Sequence, residues 1–185
     1  FAQPRRLTGS ANRALTSWQT TVATLLQENW RALLGTDITV TVEATDSARS
    51  GKAISQLDDP GYGGRLEVGP AGDITLFCMS TKLMIALVND MLGTPSEDWP
   101  EERELTAVET SMAELLFGEV SRAISQAWPE VEPLACELLS VIARPTRSRI
   151  YAPDAVLART KITITSSLGE ATVVWLISRT TLEGI

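Results

Sequence analysis

The chain has 185 residues, 44% of them hydrophobic and 21% charged, which fits one folded domain and argues against intrinsic disorder. Sixteen Lys and Arg against 23 Asp and Glu leave a net charge of −7, which argues against nucleic acid or an anionic membrane surface as a partner. Histidine is absent, which removes the commonest general base and the commonest metal ligand.

Residues 1–10, with Pro4, Arg5 and Arg6, show no periodicity and read as an extended lead-in; the chain begins with Phe1 rather than Met, as a piece of a longer protein does. No signal peptide is legible. Residues 11–185 read as a single domain built of two repeats, about 11–93 and 105–185. Leu15, Trp18, Val22, Leu25, Leu26 and Leu33 recur at helical spacing, and Gly35 supplies a stop. Ile38, Val40 and Val42 alternate with polar residues, as in a half-buried strand. Asp46 to Leu57 reads as a short helix, and Asp59-Pro60-Gly61-Tyr62-Gly63-Gly64 as a plain loop.

Two strands are expected at Leu66–Val68 and Ile74–Met79, with Pro70-Ala71-Gly72-Asp73 turning between them. Ser80 is placed to cap a helix carrying Leu83, Met84, Leu87, Val88 and Met91, which Gly93 ends. Thr94 to Glu104 is a polar, acidic loop. Thr106 and Glu109 form a capping box at the start of a second long helix, striped by Val108, Met112, Leu116, Val120 and Ile124 and stopped by Pro129. The rest, Leu134 to Ser178, reads mostly as strands, with turns at Pro145, Pro153 and Gly169. Apolar runs such as Val173–Ile177 are too short to span a bilayer, so no direct membrane insertion is expected.

One offset carries Trp30 onto Trp128 and the run Ile74–Ser80 onto Thr172–Ser178. Both halves share the order of long helix, strand, irregular segment and strand pair. This predicts a duplicated α/β unit with pseudo-two-fold symmetry and one largely antiparallel sheet. It also predicts that Trp30 and Trp128 pack as a symmetric pair.

Chemistry-bearing patterns are scarce. Cys78 and Cys136 stand alone in apolar stretches and form no CxxC motif, so each reads as a small buried hydrophobe. No phosphate-cradling glycine motif is present. Glu97, Asp98, Glu101, Glu102 and Glu104 have the donor type of a hard-cation site, but a solvated loop before a helix N-terminus explains them as well. Trp18 and Trp175 read as core. Trp99, between Asp98 and Pro100, reads either as a partner anchor or as a side chain folded back onto the domain.

Several segments together resemble one family. They are Met91-Leu92-Gly93, Arg103-Glu104-Leu105-Thr106-Ala107-Val108-Glu109, Ala127-Trp128, the closing Ile177-Ser178-Arg179-Thr180-Thr181-Leu182-Glu183-Gly184-Ile185 and the lead-in Phe1 to Arg6. In this order, over essentially the whole chain, they are similar to the middle domain of the flagellar motor switch protein FliM family, within the broader CheC/CheX/FliM fold. The resemblance implies a three-layer α/β/α fold of the CheC type, with an internal pseudo-two-fold repeat and one mostly antiparallel sheet.

It further implies a non-enzymatic component of the flagellar motor switch, or C-ring. Such a component binds FliG and neighbouring FliM subunits and transmits the signal of phosphorylated CheY to rotation direction. FliN would join through a C-terminal domain that is not in this chain. The implied place is cytoplasmic, at the flagellar basal body on the inner face of the cell membrane, with no cofactor and no metal. The family's FliG contact uses a double-glycine loop. Here that loop reads Gly93-Thr94-Pro95-Ser96, and Pro95 stiffens what a second glycine leaves free. The partner site is therefore expected at Gly93, Thr94, Pro95, Ser96 and Trp99.

Two alternatives come with the same fold: a CheC/CheX-type CheY phosphatase and a related secretion-apparatus adaptor. The phosphatases use Glu and Asn spaced as ExxN on the long helix, the Asn orienting water. In the second long helix Glu114 is followed at that spacing by Phe117, and in the first Glu28 is followed by Arg31. A phenyl ring can neither donate nor accept the bonds that position water.

Overall fold

The computed structural model describes residues 9–132 and 134–183. The elements run α1 (Gly9–Leu34), β1 (Thr39–Arg49), α2 (Ser50–Ser55), β2 (Gly61–Val68), β3 (Asp73–Ser80), α3 (Thr81–Met91) and α4 (Ala107–Gln126). They continue with β4 (Cys136–Ala143), a 3₁₀ turn (Pro145–Arg147), β5 (Val156–Ser166), β6 (Gly169–Ser178) and α5 (Arg179–Glu183). Of the expected extended lead-in, residues 1–8 lie outside the described residues, as do Gly184 and Ile185; Gly9 and Ser10 belong to α1.

The six strands form one sheet in the order β1-β5-β6-β3-β2-β4, and every neighbouring pair is antiparallel. The order is its own mirror under the repeat: β1 corresponds to β4, β2 to β5 and β3 to β6. Register shows the same relation residue by residue. At the centre Phe77 pairs with Trp175, Leu76 with Leu176 and Cys78 with Val174, so the offset that defines the repeat exchanges the last two pairs and maps the first onto itself. Both outer strands carry a register shift, between Val42 and Ala44 in β1 and opposite Arg65/Leu66 for β4.

α1, α3 and α4 cover one face of this sheet. The main core lies between, with Leu26, Trp30, Phe77, Leu116, Phe117 and Trp175 almost fully buried. Indole N–H groups tie the two long helices together: Trp18 donates to Ile124 O (3.3 Å) and Trp30 to Leu116 O (3.1 Å). The other face carries a thinner layer, in which α2 and residues 145–155 bury Leu76, Cys78, Leu157 and Leu176. On α1, four exposed threonines turn their hydroxyls onto the helix's own carbonyls: Thr16 to Asn12, Thr20 to Thr16, Thr21 to Ser17 and Thr24 to Thr20.

Three expectations are corrected. Gly61-Tyr62-Gly63-Gly64 is the first half of β2, not a loop. A Cβ at Gly64 would stand 2.6 Å from Phe117 Cδ1 of α4, so glycine there allows the helix to approach the sheet. Residues 46–49 continue β1 as an outer strand paired to β5, and the helix after them is only Ser50–Ser55. Outer-strand residues are solvated and polar, which hides the strand from a reading based on apolar alternation. Trp30 and Trp128 do not form a pair. Trp30 meets Phe77 edge-on (6.3 Å), while Trp128 stands edge-on to Trp18 (5.6 Å).

Candidate functional site

The expected partner site lies on the segment that joins α3 to α4. Ser80 Oγ accepts from Leu83 N (3.2 Å) and starts α3. At the other end Gly93 takes φ +75°, Gly93 N donates to Asp90 O (3.1 Å) and Thr94 N to Asn89 O (3.0 Å). This crossed pair of bonds is a Schellman cap, and it needs the left-handed residue that glycine supplies. Asn89 Nδ2 then donates to Ser96 Oγ (2.9 Å), folding the segment back onto the helix end. Leu92, Gly93, Thr94 and Pro95 are exposed at the apex, Leu92 at 47%.

Trp99 behaves differently. It is half-buried against the main core, in a recess shared with Asp58, Ser80, Lys82 and Glu170. Its side chain thus folds back onto the domain. The structure thus gathers Gly93, Thr94, Pro95 and Ser96 on one exposed apex and sets Trp99 apart as the anchor that returns the chain to the body.

Beyond Trp99 the segment is fixed more firmly. Leu105 N donates to Tyr62 Oη (3.0 Å). Arg103 grips Glu109 with both terminal nitrogens (2.6 and 2.8 Å). Thr106 and Glu109 close the expected capping box, with Thr106 N to Glu109 Oε1 at 2.9 Å and Glu109 N to Thr106 Oγ1 at 3.2 Å. The Arg103 guanidinium and the Thr106 donors hold the buried Glu109 carboxyl down to about 2. Burial and the facing Glu102 push Asp58 up. Burial also raises Asp90, against the Thr36 hydroxyl at 3.4 Å.

An open groove of about 780 Å³ adjoins this segment. Glu102, Glu104, Arg144 and Arg147 all line it, together with Tyr62. The two arginines were not singled out from the sequence, although Arg144, Arg147 and Arg149 in quick succession were visible in an acidic chain. Asn89, which sets the apex, gave no signal, because its partner is a side chain in an irregular segment.

The positions where a phosphatase would carry its pair are also resolved. Phe117 is fully buried against Phe77 (6.4 Å) and Gly64. The repeat places Gln19, not Arg31, at the equivalent position of α1. Gln19 is 1% exposed, donates to Thr160 Oγ1 (2.6 Å) and accepts from Thr45 (3.1 Å). Arg31 instead binds Ile38 O and Asp37. Neither position offers a water-orienting group to solvent.

Cys78 and Cys136 are free thiols whose burial raises them to about 12. Among the described residues no group of three or more His, Cys, Asp or Glu is placed to hold a metal ion. No helix among them is long and apolar enough to cross a membrane.

A family model described as flagellar motor switch protein FliM matches residues 10–185. No curated protein sequence matches the chain. Among solved structures, the chain is similar to the FliM middle domain of Vibrio alginolyticus, at 19% identity and a TM-score of 0.78 over 92% of this chain and 96% of that one. It is similar to a chain of the FliG–FliM complex from H. pylori, at 13% identity and a TM-score of 0.86 over 97% and 100%. A CheC-like superfamily protein from Shewanella is a more distant likeness, at 12% identity and a TM-score of 0.57 over 86% and 96%. At these identities the likenesses concern the fold.

Proposed function

This chain belongs to the flagellar motor switch protein FliM family, and from that premise we propose that it works as a non-enzymatic docking and signal-transmitting unit of the switch. Its FliG-type partner seats on the apex Gly93-Thr94-Pro95-Ser96. The observation that carries this reading is the construction of the apex. It is exposed, yet held in one conformation by the Schellman cap, the Asn89–Ser96 bond and the Trp99 anchor. Pre-organisation of this kind lowers the ordering cost of binding. Pro95 extends it, and Leu92 adds an exposed apolar contact.

The same reading includes neighbouring FliM copies beside this one, phosphorylated CheY as the signal and FliN joined through a domain outside this chain. The place is the cytoplasmic base of the flagellum. The two outer strands, β1 and β4, are counterparts with different side chains, which suits a head-to-tail contact between unlike edges. A phosphatase is disfavoured because Phe117 and Gln19 occupy, buried, the places where water would be oriented.

Calorimetric titration against the middle segment of FliG from the same genome tests the docking. One-to-one saturable binding is expected. The paired substitution Thr94→Glu and Pro95→Arg should abolish it with the melting temperature retained. Binding that survives this pair removes the apex as the site. Trp99 is left intact in the test, because its substitution would disturb the core.

A further inference from the structure

Arg144, Arg147 and Arg149 follow β4 in close succession, in a chain whose net charge is −7. All three are exposed, and none takes part in the ion pairs seen among the described residues. Arg144 holds φ +51° and ψ +66°, and among the described residues it is the one non-glycine with positive φ. An L side chain is strained there. The reward is a backbone bond, Arg144 N to Gly61 O at 2.9 Å, which a glycine would make as well. The fold therefore asks for the conformation at 144 and not for the arginine.

The turn Pro145–Arg147 holds Arg147 close to Arg144, with Arg147 N donating to Arg144 O (2.9 Å). Both line the groove of about 780 Å³. α2 packs beside this turn and adds the exposed Lys52. The acidic groups around it include Glu102 and Glu104, which line the same groove, and Asp58 and Asp59, which lead into the groove-lining Pro60 and Gly61; Asp58 also faces Glu102.

We propose that the Arg144–Arg147–Arg149 turn docks an acidic segment of a protein partner, whose carboxylates take the free guanidinium groups at the mouth of the groove. Guanidinium forks match carboxylates two bonds at a time. The negative charge of the remaining surface repels such a segment elsewhere and steers it here. The site is separate from the Gly93–Ser96 apex and stands whether or not FliG binds there.

An amide-resolved NMR titration of the chain with poly-L-glutamate tests the proposal. Saturable shifts are expected at Gly61 and at the amides of residues 143, 144 and 146–149, weakening with salt and sparing Gly93, Thr94 and Ser96. R144G should bind at least ten-fold more weakly while melting no lower than the parent, because glycine suits that φ. The double variant R147E/R149E should abolish the shifts. Absent or scattered shifts overturn the proposal, as does R144G binding at full strength. An R144G that melts well below the parent would make the arginine structural and also overturns it. Polyuridylate that produces these shifts while polyglutamate does not would assign the turn to nucleic acid instead.

Discussion

Phe77 and Trp175 stand directly opposite each other on β3 and β6, and each is also the other's counterpart in the duplicated half. The pseudo-two-fold axis thus passes between two aromatic side chains. Phe77 touches Trp30 and Phe117 edge-on, at 6.3 and 6.4 Å, so one ring joins α1, α4 and the centre of the sheet.

Phe77→Ala removes both ring contacts from a site with no solvent exposure. The expected cost is about 3–5 kcal/mol, read from urea unfolding followed by tryptophan fluorescence. A loss under about 1 kcal/mol would mean that the centre repacks freely.

Gly64→Ala places a methyl group 2.6 Å from Phe117 Cδ1, closer than real side chains approach. A loss of about 1–3 kcal/mol is expected, and the second substitution Phe117→Leu should restore part of it. Denaturant midpoints of the two single variants and the double variant decide this.

Glu109 gives the fold an acid dependence of known sign. Its carboxyl is held at about 2 in the folded chain against an ordinary 4.5, so its stabilising effect is complete above the ordinary value and disappears as pH falls towards 2. Arg103 is half exposed, which weakens the pair, and roughly 1–2 kcal/mol is expected across that window. Glu109→Gln should flatten this part of the stability curve in acid unfolding monitored by circular dichroism. An unchanged slope would place the acid sensitivity elsewhere.

Phe117→Asn restores the ExxN spacing after Glu114 and still yields no phosphatase. The new amide would sit in the core below α4, out of reach of a phosphorylated response regulator. Phosphate release at the spontaneous rate is expected, together with a loss of about 3 kcal/mol or more from burying an unpaired amide in a cavity. Release above the spontaneous rate would contradict the buried placement.

The three long helices α1, α3 and α4, the caps of α3 and α4 and the duplication were legible in the sequence because each is local or periodic. Ser80, Gly93, Thr106 and Glu109 perform the capping roles that their types indicate. The glycines of β2 were misread because their purpose is a contact with Phe117 in a distant element, and a single sequence shows only their turn preference. Residues 46–49 were misread because an outer strand facing solvent has no apolar alternation to display. The apex was expected as a site only through a family likeness. What orders it, the Asn89–Ser96 bond and the seat of Trp99, is tertiary and left no pattern. Arg144 was overlooked because backbone strain at a non-glycine residue is visible only in coordinates.

The threonines of α1 show how composition can misstate a surface. Thr16, Thr20, Thr21 and Thr24 count as polar, yet each hydroxyl is already bonded to a carbonyl one turn back. The proton is used within the helix, so each hydroxyl can still accept from water but has none to donate, with a methyl beside it. The outer side of the helix therefore binds water more loosely than its letters suggest. A neighbouring molecule resting against it would displace that water cheaply, matching it by shape and not by hydrogen bonds.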